Sequence, residues 1–168
     1  MNNRILITYA SRSGSTVGVV DAIAVVLRKR GFLVMVEPIK ENPSVKSYQA
    51  VIIGSAIRQG AWLPEAVTFL MANQEALRRV RVALFTVHAL NRGDDEQSRR
   101  KREAYLDPLR SLVLPVAHVF FPGKIDPARL SLFDRLMVKA LRAPVGDFRD
   151  WAKINNWADK RLTEEMAR

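Results

Sequence analysis

Five short, largely apolar runs alternate with helix-like stretches along this chain, and that alternation limits its fold more than any other feature. The runs are Arg4–Ala10, Phe32–Val36, Ala50–Ile53, Val82–Val87 and Val116–Phe121. They are apolar almost throughout rather than at every second residue, the pattern of parallel strands buried on both faces. Val17–Arg30 carries Val20, Ile23, Ala24 and Leu27 at helical spacing, and Gly31 stands where a helix-ending glycine belongs. Pro38 and Pro43 mark a loop after the second run, and Pro64 suits the first turn of another helix. Asn91–Asp95 reads as loop, and the charged segment from there to about Leu112 as helix. Two more helices are predicted near Ala128–Leu141 and Asp150–Glu165. The expected fold is one α/β domain over residues 1–168, a doubly wound five-stranded parallel sheet with helices on both faces. Right-handed crossovers bring every strand-to-helix loop to one sheet edge, where ligands bind. Loops 11–16, 54–62 and 87–94 are therefore the site candidates.

Composition narrows the chemistry. Among 168 residues there is no cysteine, so neither a disulfide framework nor a cysteine metal site is possible. No other metal-ligand spacing appears, and no Ser/His/Asp constellation can be drawn. No apolar stretch approaches the roughly 20 residues that span a bilayer, and no targeting signal is recognised. A cytoplasmic setting is the expectation, compatible with the missing cysteines. The net charge of +10 points to an anionic partner: nucleic acid, an acidic membrane surface or an anionic ligand. A nucleic-acid-binding module would gather basic and aromatic residues on one surface. Here the charge is dispersed, which disfavours nucleic acid.

The loop Ser11-Arg12-Ser13-Gly14-Ser15-Thr16 places four hydroxyls and one glycine directly before the first helix. A phosphate monoester needs several short hydrogen bonds and close backbone approach. Free N–H groups and the dipole at a helix start favour its charge, and Gly14 leaves room. The P-loop pattern Gly-x-x-x-x-Gly-Lys-Ser/Thr is absent, as is Gly-x-Gly-x-x-Gly after the first strand. The alternative is that one of these hydroxyls simply caps the helix.

Thr8-Tyr-Ala-Ser-Arg-Ser-Gly-Ser-Thr16 resembles the flavodoxin signature, Ser/Thr-x-Thr-Gly-Asn-Thr, which wraps the phosphate of flavin mononucleotide (FMN). Ser11, Ser13, Ser15 and Thr16 match its phosphate-binding positions, with Ser15 in place of the usual Asn. Ile52–Gly60 and Leu132–Lys139 resemble the menaquinone-dependent protoporphyrinogen dehydrogenase branch of that family, and Gly146–Trp151 looks like a shortened form of its C-terminal junction. The resemblance implies FMN as cofactor and strand order 2-1-3-4-5. It implies that Ser55, Ala56, Ile57 and Arg58, with Val87, His88, Ala89, Leu90 and Asn91, flank the flavin ring. Trp62 either stacks on that ring or covers the second helix or the sheet edge. His88 reads as a loop or packing residue ahead of a catalyst, and no catalytic acid or base is singled out; His118, inside a strand, is structural. Arg12, Arg58 and Arg92 lie in the candidate loops, where positive charge near the ring raises its potential.

The segment 128–141 is amphipathic. Phe133, Leu136, Met137 and Ala140 share one face, and Arg135, Lys139 and Arg142 another. It reads either as a core helix with a solvated basic side or as a peripheral contact with anionic membrane at the inner face of the cell membrane. The functional expectation is an FMN oxidoreductase resembling protoporphyrinogen dehydrogenase, an enzyme of haem biosynthesis. It would pass electrons from an organic substrate, such as a porphyrinogen, to a quinone. A flavodoxin-type electron carrier is the alternative, and a basic nucleic-acid-binding module a further one.

Overall fold

The computed structural model describes residues 2–168. Its centre is a parallel sheet of five long strands: β1 (Arg4–Ala10), β2 (Leu33–Pro38), β3 (Ala50–Arg58), β5 (Arg81–His88) and β6 (Ala117–Pro122). Their order is β2-β1-β3-β5-β6, which is 2-1-3-4-5 when only the long strands are counted. A two-residue strand, β4 (Ala61–Trp62), folds back antiparallel on the end of β3. Order reverses at β1, between β2 and β3, so the edge beyond the carboxyl end of β1 is the switch point.

Alternate residues of each strand feed two cores. Ile5, Ile7, Ile52 and Phe85 face α1 (Ser15–Lys29) and the C-terminal helices. Leu6, Val51, Ile53 and Leu84 face α2 (Pro64–Ala72) and Leu77 of α3 (Gln74–Leu77). Val20, Ile23, Ala24 and Leu27 of α1 are all buried, as their spacing predicts, Val19 is buried with them, and Gly31 follows the helix at φ +92°. The helix predicted over 150–165 runs as α6 (Trp151–Asn156), a π-helical stretch (Trp157–Leu162) and α7 (Thr163–Ala167). The wide π turn keeps Trp157, Ala158 and Leu162 together on the core.

Three boundaries differ from expectation. β3 continues through Arg58, so Ser55–Arg58 are strand rather than loop, and β4 prolongs their pairing. The helix after Asp95 is α4 (Glu96–Ala104), which gives way to a 3₁₀ turn at Asp107–Leu109 instead of reaching Leu112. Pro108 explains this, because it has no N–H to continue the ladder. The segment 128–141 is a 3₁₀ turn (Pro127–Arg129) followed by α5 (Leu132–Ala140), capped by the Ser131 hydroxyl on the Asp134 N–H. No residue of α5 is buried, so it is not a core helix: Asp134, Met137 and Val138 turn inward, while Phe133 and Leu136 are exposed. The excursion containing it is closed by a short antiparallel pair, β7 (Lys124–Ile125) with β8 (Gly146–Asp147). Arg149, just beyond β8, donates three hydrogen bonds to the Asp147 carboxylate, two from its guanidinium and one from its backbone N–H, which hold that carboxyl well below its ordinary range.

Candidate functional site

A cavity of about 510 Å³ opens beyond the carboxyl ends of β1, β3 and β5. Ligand pockets span roughly 300–1,000 Å³. Four segments wall it: the loop after β1, the ends of β3 and β5 with the turns beyond them, part of α4, and the excursion between β7 and β8. The strand ends contribute apolar and backbone surface, and α5 contributes Asp134, Met137 and Val138.

The loop after β1 is built to leave donors free. Gly14 sits at φ +84°, a left-handed conformation that costs glycine little. Its N–H donates to the Ser11 hydroxyl at 3.1 Å, which folds Ser11 into the loop. No side chain caps α1, and no acidic residue occupies its first turn. The helix-cap alternative for these hydroxyls is therefore not realised; Val17 N–H donates to the Gly14 carbonyl, while the N–H groups of Ser15 and Thr16 lack partners among the described residues. Ser13 and Ser15 line the cavity. Thr16 is fully buried, and its hydroxyl has no hydrogen-bond partner. A buried hydroxyl without a partner costs roughly 1–3 kcal/mol, so its presence calls for a ligand atom or water. Free amides, hydroxyls and one orphaned donor are the groups a phosphate monoester requires.

Eleven of the sixteen residues singled out from the sequence line this one cavity: Arg12, Ser13, Ser15, Ala56, Ile57, Arg58, Val87, His88, Ala89, Leu90 and Asn91. Ser11, Gly14 and Thr16 shape the loop beneath it. Ser55 is displaced from the site: it is fully buried, donates to the Ala56 carbonyl and accepts from the Leu63 N–H. It fastens the turn between β4 and α2. Trp62 is a correction too. It is buried in the second core, and its indole N–H donates to Thr86 Oγ1 at 2.9 Å, so it has no free face for a ring.

The arginines also differ from expectation. Arg12 is engaged by Glu65, and Arg58 by Asp134, both at ion-pair distance. The Arg92 guanidinium lies 3.6 Å from the centre of the Phe148 ring, outside the cavity wall. Besides Arg12 and Arg58, Lys101 of α4 and Lys124 of β7 line the cavity. Sequence reasoning missed both. The dense basic run Arg99–Arg102 signals a cationic wall only once α4 is known to flank the cavity.

His88 closes β5 and is buried, with Tyr105 and Phe120 rings 6.3 and 6.4 Å away. Its Nδ1–H donates to the Leu90 carbonyl at 2.8 Å, which leaves Nε2 as the unprotonated nitrogen. Burial pushes its pKa down to about 4; nearby Arg102, Lys153 and Arg92 push the same way, and the Leu90 bond opposes them. His88 is therefore neutral at pH 7 and is not a proton donor there. Above pH 6.5 both folded and unfolded chains hold it neutral. As pH falls from 6.5 toward 4, only the unfolded chain takes up the proton, so stability declines by on the order of 3 kcal/mol across that window. The expected result is that His88→Gln removes this component. Urea unfolding at pH 7 and pH 4.5 checks it: an identical pH dependence in wild type and variant would refute the assignment.

A family model described as a flavodoxin domain matches residues 6–151. No curated protein sequence matches the chain. Among solved structures, a flavodoxin from the domain Archaea superposes with TM-score 0.60 at 14% identity, covering 98% of this chain and 99% of that one. Flavodoxin 1 from Bacillus cereus gives TM-score 0.57 at 15% identity, with 98% and 97% coverage. The rubredoxin oxygen:oxidoreductase from Desulfovibrio gigas gives TM-score 0.55 at 16% identity over 99% of this chain. The chain spans only 38% of that oxidoreductase's length. At these identities the likeness is one of fold. Among the described residues no helix is long and apolar enough to cross a membrane.

Proposed function

We propose, on the premise that the chain belongs to the flavodoxin domain family, that it is an FMN-dependent redox protein acting at the cavity just described. Ser13, Ser15, Thr16 and the first amides of α1 would hold the phosphate, and Ala56–Arg58 with Val87–Asn91 the ring. A bound flavin supplies transfer of one or two electrons; the protein binds it, orients it, excludes water and sets the charge around it. The observation that carries this reading is the orphaned, fully buried Thr16 hydroxyl in the uncapped first turn of α1.

Thr16→Val tests it with two opposed readouts. The apoprotein should gain about 1 kcal/mol in urea unfolding, because an unsatisfied buried hydroxyl disappears. FMN affinity, read by quenching of flavin fluorescence, should fall about tenfold, equal to roughly 1.4 kcal/mol. A stabilised variant that binds FMN as the wild type does would sink the phosphate assignment.

We further propose an oxidoreductase of the protoporphyrinogen dehydrogenase type, delivering electrons to a quinone, over a carrier flavodoxin. Two features support it. The two branch-like segments meet at the cavity, where Arg58 and Asp134 pair at 2.9 Å. Lys101 and Lys124 give the cavity a basic wall, which suits acidic substrates and a higher flavin potential. The exposed residues Leu132, Phe133 and Leu136 of α5, with Arg135, Lys139 and Arg142 alongside, favour peripheral contact with an anionic bilayer. Three basic residues at about 1 kcal/mol each give weak, salt-sensitive attachment. With a menaquinone analogue embedded in vesicles, FMN-loaded protein should convert protoporphyrinogen to fluorescent porphyrin. Turnover should be several-fold faster on anionic than on neutral vesicles at low salt. Changing all three residues to Gln should abolish that advantage. No porphyrin above the uncatalysed rate on either vesicle would refute the specific reaction and leave FMN binding standing.

A further inference from the structure

The phosphate loop does not contain a cation free to meet a phosphate. Its one basic residue, Arg12, is held by two contacts to Glu65, at 2.7 and 3.0 Å. Charge does approach from another part of the chain. A Cβ placed on Gly14 would stand 3.4 Å from Nη1 of Arg129, so that guanidinium lies against the loop at its tightest point. A Cβ on Gly123 would stand 3.7 Å from the Ser15 hydroxyl, so the same segment also touches the start of α1. One residue further on, Lys124 lines the cavity with Ser13 and Ser15.

Both cations are loosely held. Among the described residues neither the Arg129 guanidinium nor the Lys124 ammonium makes a hydrogen bond. Each has only a distant ion-pair contact with Asp126, at 4.0 and 3.8 Å. Asp126 is itself committed, since its Oδ1 accepts from the Ala128 N–H. Its carboxylate keeps the two cations side by side without saturating their donors. A second, independent sign of a missing anion lies within the same turn: the buried, partnerless Thr16 hydroxyl.

We propose that Arg129, seconded by Lys124, is the cation that receives the cofactor's phosphate, so that this chain selects FMN over riboflavin by a charge brought from the β6–α5 connection rather than from the loop itself. This rests on the FMN reading above. An arginine fork donates to two phosphate oxygens at once, and charge-assisted bonds of that kind are roughly twice as strong as neutral ones. Segment 123–130 is then a binding element for the cofactor as well as the root of α5.

The test is titration of the full-length apoprotein with FMN and with riboflavin, for wild type, Arg129→Gln, Arg129→Lys and the double variant Arg129→Gln/Lys124→Gln. In the double variant FMN affinity should fall at least 30-fold and lose most of its salt dependence, with riboflavin affinity unchanged within twofold. Arg129→Lys should retain more FMN affinity than Arg129→Gln. Equal losses for FMN and riboflavin would overturn the proposal, because they would mark the residues as merely structural. Unchanged FMN affinity in the double variant would overturn it too. That result leaves the phosphate loop intact if Ser13→Asp still abolishes binding. A wild type that binds neither flavin removes the functional reading itself, and the proposal with it.

Discussion

Ser13→Asp should weaken FMN binding by at least about 1,000-fold. Ser13 lines the cavity from the loop after β1, and a carboxylate there would face the phosphate. Two unit charges about 4 Å apart repel by about 4 kcal/mol at the effective dielectric of a protein surface, close to three decades of affinity. The phosphate carries more than one charge, so this is a lower figure. Arg12 offers no relief while Glu65 holds it. Riboflavin, which lacks the phosphate, is the control and should bind the variant nearly as it binds the wild type. An FMN affinity within tenfold of wild type would remove the phosphate from this loop.

Gly54→Val should destabilise the fold by on the order of 4 kcal/mol, toward the upper end for a single core substitution. Gly54 pairs in register with Phe85 across β3 and β5, and the Phe85 ring lies over it. A Cβ at Gly54 would sit 1.9 Å from Phe85 Cζ and 2.3 Å from both Cε atoms. The ring cannot move aside. It is fully buried and packs on Phe121, which in turn meets Trp157 edge-on at 5.7 Å. Chemical denaturation measures the loss. Shortening the obstacle, in Gly54→Ala/Phe85→Leu, should recover part of what Gly54→Ala loses, since the two positions share one space. Additive effects in that cycle would show that the contact is not the cause.

The sheet was legible because its evidence is local and repeated. Apart from Thr8 and Thr86, Ile5 through Ala10 and Val82 through Val87 are apolar on both sides, the pattern of strands in a doubly covered parallel sheet. The phosphate loop was legible for a similar reason, since hydroxyls, a glycine and a helix start stand together within six residues. What sequence reasoning missed depends on partners distant in the chain. Trp62 is withdrawn from the cavity by Thr86, twenty-four residues away. Ser55 is withdrawn by the Leu63 N–H. Arg58 is engaged by Asp134, seventy-six residues on. The amphipathic pattern of α5 was read correctly as a pattern, but periodicity does not say which face meets the core. Here the inward face is set by Asp134 and Val138, and the more apolar side is left outside.

The pairing of β7 with β8 has a meaning for how such a chain changes over time. Residues 126 to 145 leave and re-enter the fold through a gate two residues wide, and their ends stay fixed whatever lies between. Lengthening a loop whose ends are already joined costs little conformational entropy, about 0.6 kcal/mol for each doubling. α5 and the residues after it can therefore be extended, trimmed or exchanged while Gly123 remains against Ser15 and segment 123–130 keeps its place beside the loop after β1. The cavity thus has walls fixed by the ends of the parallel strands and one wall, α5, whose length and sequence are free to vary.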